Sequence, residues 1–224
     1  LDLRNTGIYR LLTILAFSIA VCGLFITPAI AEGQHLERIQ MESSESERTE
    51  QVIVAELAGK VKQDVIAKTF KSVNSGLEDY AAAKFSEYVM EAAAEFQVDP
   101  FIVASILIKE STVKYKARSH MGAYGLMQIN WKVHKDNIRK AFSEISTLSD
   151  LIQPRNNIFV GTYIFSCYLD SSRGNVKGAL ARYLGKSSSN YNSTVFKYHR
   201  KMVKRYTSMM EVMLKRELGE TESA

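Results

Sequence analysis

The sequence predicts a mainly α protein, and three observations carry that prediction. Apolar residues recur at three- and four-residue steps through most of the chain after residue 50. Two segments open on a helix-starting proline, Asp99-Pro100 and Gln153-Pro154; at the first helical position the missing N–H is no loss. No alternating apolar–polar run of useful length signals a strand, and no internal repeat is present.

Taken in order, the chain begins with Arg4 and Arg10, an apolar run from Leu11 to Pro28, and Ala29-Ile30-Ala31. A basic start, an apolar middle and an A-x-A ending are the pattern of a secretory signal peptide cleaved after Ala31. The alternative is an uncleaved membrane anchor through residues 11–28. In both cases the remainder is expected outside the cytoplasm. Residues 32–50 (EGQHLERIQMESSESERTE) are polar and nearly free of large apolar groups, and are expected to be a flexible linker. A helix is expected over 50–73, where Val54, Leu57, Val61, Val65 and Ile66 recur, with a stop at Asn74-Ser75-Gly76. Residues 32–76 thus read as a polar linker and helical arm.

From 77 to 216 the patterns join into one helical domain, with a short tail over 217–224. Leu77 to Phe96 carries the stripe Tyr80, Phe85, Val89, Ala93 and Phe96. Phe101 to Ile108 is apolar all round, which predicts a central helix. Helices are expected over 131–142, 154–169 and 176–184. Ser187 to Ser193 reads as a polar loop, and a last helix as running from about Thr194 to Arg216.

Composition narrows the function. The chain carries a net charge of +5. That mild excess is concentrated between Lys197 and Lys215 and favours anionic partners. Outside the cytoplasm a cell-wall polymer or an anionic membrane fits better than nucleic acid. Cys22 lies in the first apolar run. If cleavage removes Cys22, Cys167 stands alone and no internal disulfide framework is expected; Cys167 is expected to be a small core residue on its helix. The histidines and Cys167 lack metal-ligand spacing, so neither metal nor cofactor is expected.

The segment KESTVKYKARSHMGAYGLMQIN, 109–130, holds the candidate chemistry. Glu110 ends the apolar helix. There the helix dipole disfavours an anion and apolar neighbours desolvate it; both raise a carboxyl pKa. An acid still protonated near neutral pH can donate a proton to a glycosidic oxygen. Gly122 and Gly125 open backbone conformations closed to other residues. Gln128 and Asn130 offer neutral donors and acceptors suited to hydroxyl and N-acetyl groups. The alternative for these loop residues is turn chemistry and anchoring.

Glu110-Ser111, Ala117-x-Ser119 and Gly122-Ala123-x-Gly125-Leu126-Met127-Gln128 run without a gap. This resembles the signature of the soluble lytic transglycosylase domain, a lysozyme-like family whose pattern is about E-S-x-F-x-P-x-A-x-S-x-x-G-A-x-G-L-M-Q. The likeness continues in Asn157-Ile158-x-x-Gly161-Thr162 and Ala179-Leu180-Ala181-x-Tyr183, and spans about Leu77 to Tyr206. Val113 and Tyr115 depart from the usual aromatic and proline, and Leu184 replaces an asparagine that commonly follows the tyrosine.

The resemblance implies a helical fold with a groove between helices and at most a short strand pair near the loop. It implies Glu110 as the catalytic residue. Ser119, Gly122, Gly125, Met127, Gln128, Asn130, Asn157 and Tyr183 become the substrate-binding candidates. The implied partner is peptidoglycan, in the periplasm or envelope of a bacterium. Hydrolytic glycosidases use two carboxyls, and no second one accompanies Glu110 in the motif. In the family one acid suffices: it protonates the oxygen between N-acetylmuramic acid and N-acetylglucosamine, then deprotonates the muramyl C6 hydroxyl to give a 1,6-anhydro end. The alternatives are a hydrolytic, goose-lysozyme-like muramidase, and a non-catalytic glycan-binding factor of an envelope-spanning secretion or conjugation machine.

Overall fold

A computed structural model describes residues 32–217. The signal or anchor segment, Cys22 and the tail beyond 217 lie outside the described residues. The described residues fall into two units: 58–210, and the helical stretches 32–57 and 211–217. Among them no helix is long and apolar enough to cross a membrane.

The expected linker over 32–50 is instead part of α1, which runs Glu32–Val73. The reason is local. From Gln34 to Leu57 there is neither Gly nor Pro, and the many Glu, Gln and Arg lose little rotamer freedom in a helix. Within the larger unit, α1 buries Val61, Val65, Ile66 and Phe70. It stops at Asn74, whose side-chain amide donates to Val113 O at 3.2 Å.

α2, Asp79–Glu95, buries one face through Ala82, Phe85, Ser86, Val89, Ala92 and Ala93. α3, Pro100–Ser111, is the central helix. Asp99 caps it by accepting from Phe101 N at 2.8 Å, Pro100 stands at its first turn, and Phe101 to Ile108 are all buried. It ends because Thr112 turns into the left-handed region, φ 51°.

The glycine-bearing loop then forms a two-strand antiparallel pair, β1 (Ala123–Tyr124) and β2 (Ile129–Asn130), in register Ala123 to Asn130 and Tyr124 to Ile129. α4, Trp131–Ala141, lies on the surface with Ile138 buried. The short α5, Leu148–Leu151, starts with a reciprocal capping box between Thr147 and Asp150. α6, Pro154–Ser171, packs against α2 and against α7, Val176–Leu184. Its buried face is Asn157, Ile158, Val160, Gly161, Thr162, Ile164 and Phe165. Cys167 lies two residues further round the helix and is exposed; the expectation that it is a core residue is corrected by that geometry.

The last helix, α8, runs Ser189–Glu217, so it begins five residues before the sequence suggests. Ser188 explains the earlier start. Its hydroxyl accepts from Tyr191 N at 3.2 Å, an N-cap bond that satisfies one of the free amides of the first turn.

Candidate active site

Glu110 sits in the last turn of α3 and is mostly buried rather than aimed at open solvent. Its Oε1 accepts the Tyr191 hydroxyl at 2.5 Å, and Lys109 Nζ lies 5.8 Å from the centre of the Tyr191 ring. Burial pushes the Glu110 pKa above the ordinary glutamate value; the Tyr191 hydrogen bond and the Lys109 charge oppose that and do not cancel it. Tyr191 is 4% exposed. Burial, then the Glu110 charge and hydrogen bond, hold its phenol protonated far beyond the usual range. Tyr191 is therefore a permanent donor to one oxygen of the acid.

Tyr183, at the end of α7, stands within electrostatic reach of the same carboxylate. Burial first, then the Glu110 charge, raise its pKa well above the ordinary tyrosine value. Its hydroxyl donates to Met127 O at 2.9 Å. Tyr191, from α8, thus bonds the acid, and Tyr183, from α7, bonds the glycine loop.

The predicted binding residues divide into supports and rim. Asn157 is fully buried. Its Oδ1 accepts from Met127 N at 2.7 Å, and its Nδ2 donates to Tyr124 O at 3.0 Å and Leu151 O at 3.3 Å. With its amide bonded to backbone on both sides, it clamps the loop from beneath. Met127 is also fully buried; a Cβ on Gly161 would come within 2.5 Å of the Met127 Cβ. Gly125 is required twice over: its φ is +80°, and a Cβ there would lie 2.4 Å from Asn157 Nδ2. Gln128, itself at φ 49°, spends its amide nitrogen on Ala117 O and Gly125 O, at 3.2 and 2.9 Å.

Ser119, Gly122 and Asn130 form the outer part of the loop. Ser119 Oγ accepts from Ala123 N at 3.0 Å, and Gly122 N donates to Ser119 O at 3.1 Å. Asn130 donates to Met121 O at 3.1 Å. Its own amide oxygen is buried and has no partner among the described residues, as does that of Asn192, next to Tyr191. Ser111 bonds back to Leu107 O at 3.1 Å within α3 and does not reach its neighbour's carboxyl.

Tyr191 is the residue that sequence reasoning missed. The run SSSNYNST looks like a loop, and the one signal that redeems it is Ser188 at capping distance from the following helix. Among the described residues no cluster of three or more histidine, cysteine or acidic groups stands together as metal ligands.

The family model for the transglycosylase SLT domain matches residues 87–203. No solved structure matches the chain.

Proposed function

Because the chain belongs to the transglycosylase SLT family, we propose that it is a peptidoglycan lytic transglycosylase in which Glu110 acts first as acid and then as base. The observation that carries this reading is the state of that one carboxyl. It is mostly buried, its pKa is raised, and the groups acting on it are Tyr191 and Lys109, with no second carboxylate among them. A lone acid suits a reaction in which the nucleophile is the substrate's own hydroxyl.

The chemistry follows from the hydrogen bonds. Tyr191 occupies Oε1, so the transferable proton belongs on Oε2. From there Glu110 protonates the oxygen leaving the N-acetylmuramic acid carbon, and the bond breaks as positive charge builds on that carbon. The 2-acetamido oxygen of the same sugar shields that charge. The Glu110 carboxylate, steadied by the Tyr191 O–H, then takes the proton of the C6 hydroxyl as its oxygen closes the 1,6-anhydro ring. The enzyme ends as it began, with no water consumed. Such a substrate places the site of action in the bacterial envelope.

The test is digestion of purified sacculi by the full chain beside Glu110→Gln, with product masses measured. Soluble fragments ending in 1,6-anhydromuramic acid, lost with Glu110→Gln, are the expected result. Fragments heavier by one water would instead favour a hydrolytic muramidase. Equal digestion by Glu110→Gln would overturn the assignment.

A further inference from the structure

A hollow opens beside the turn that follows Glu110. It has a volume of about 530 Å³ and is lined by Tyr80, Phe85, Tyr88 and Tyr115, with Lys114 and Lys116 at its edge. Glu110, Tyr183 and Tyr191 are not among its walls. A smaller hollow of about 320 Å³ adjoins it, sharing Tyr115, Lys116 and Pro154 and adding Arg118 stacked on Tyr124 at 5.2 Å. Together they make one groove along residues 114–118.

The local backbone builds this groove. Thr112 and Val113 both adopt positive φ, 51° and 61°, a conformation that side-chain-bearing residues rarely take and β-branched ones least of all. Val113 is wholly buried, and Asn74 grips its carbonyl. That pinned double turn carries Lys114, Tyr115 and Lys116 away from the acid and lays them beside α2.

The surface it presents is unusual in composition. The aliphatic walls Leu77 and Val113 are buried, whereas Tyr80 is 73% and Tyr115 43% exposed. Exposed apolar area here is therefore largely phenol ring, which offers a flat face for sugar C–H groups and a hydroxyl at its edge. Lys84 is held by Glu87 at 2.9 Å. Lys114 and Lys116 take part in no ion pair among the described residues; Lys116 Nζ rests 5.3 Å from the centre of the Tyr115 ring. Glu78 is the one acid in the wall. Two exposed rings, Tyr80 and Tyr115, the latter carrying the Lys116 ammonium on its face and Phe85 beside it, together with Lys114, complement a pyranose chain that carries carboxylates.

We propose that the larger hollow, whose walls include none of Glu110, Tyr183 and Tyr191 and whose smaller neighbour reaches Gly125 of the glycine loop, is a second binding site for a carboxylate-bearing glycan strand of the wall polymer. It rests on the reading of the protein as a peptidoglycan-acting enzyme, and it holds a strand while the acid works elsewhere on the network.

The test is retention of the full chain on insoluble sacculi in a Glu110→Gln background, so that binding is read without digestion. Tyr80→Ala with Tyr115→Ala, both at exposed rings, is expected to lower affinity about tenfold, the size of two lost stacking contacts. Lys114→Gln with Lys116→Gln is expected to lower it in a salt-dependent way. Circular dichroism of each variant checks that the fold is retained. Undiminished retention of the folded tyrosine variant overturns the proposal. So does a chain that binds soluble polyglutamate as well as sacculi, which would mark a mere polyanion surface. If the Glu110-bearing chain releases no fragments yet retention still depends on Tyr80 and Tyr115, the catalytic reading fails and this one stands.

Discussion

Two carboxyls stand at opposite ends of the same helix, and they are driven in opposite directions. Asp99 opens α3. Burial works against its charge, but the His199 ring at 2.8 Å and the Phe101 amide outweigh that and hold its pKa below the ordinary value. Glu110 closes α3. It also loses water, yet one phenol and a neighbouring lysine do not make up the loss, and its pKa rises. The helix dipole favours the anion at the first end and not at the second. What separates a structural cap from a candidate catalyst here is the set of donors that replaces water, more than burial itself.

The largest expected effect breaks the pair apart by activity. Glu110→Gln is expected to cut fragment release about 10²- to 10⁴-fold, the usual worth of a general acid, whereas Asp99→Asn leaves it near wild type. Tyr191→Phe sharpens the account of the Glu110 end. Losing a donor to the anion raises the Glu110 pKa further, so the alkaline limb of the pH–rate profile moves up. The rate itself is expected to fall about tenfold, in line with a lost hydrogen bond to a charged group.

Smaller effects appear in stability. Asp99→Ala removes the helix cap and is expected to cost about 1 kcal/mol in denaturant unfolding at neutral pH. Because its folded pKa is depressed, the ionic part of that loss is present above the ordinary aspartate value of 3.8 and fades as pH falls through the lowered folded midpoint. Glu110 has the opposite sign. Its raised folded pKa means the protonated form stabilises the fold below 4.5, and that contribution is lost as pH rises through the folded midpoint. Glu110→Gln is therefore expected to melt above wild type at neutral pH and level with it in acid, a stability–activity trade seen at polar buried sites.

How much of this was legible depends on how local each cause is. The starts at Pro100 and Pro154 could be read because capping and proline chemistry act within a few residues. The helix end at Glu110 and the need for glycine at 125 also follow from short-range signals, although the second reason for Gly125, the Asn157 side chain beneath it, does not. Asn157 looked like a sugar-facing amide; its partners lie about 30 residues away in the chain, at Met127 and Tyr124, and only the folded structure shows its hydrogen bonds committed to the loop. Tyr191 lies 81 residues from the acid it contacts, and no periodicity links them. Residues 32–50 are helical although their polarity suggests a linker, because straight-chain polar residues are good helix formers.

The central claim is that one dehydrated glutamate, held by a tyrosine, keeps its proton longer than an ordinary carboxyl. Carbon-detected NMR titration of the Glu110 carboxyl in the full chain, assigned by its absence in Glu110→Gln, tests this directly. A midpoint above the ordinary glutamate value of 4.5 is expected. A midpoint at or below that value would contradict the account.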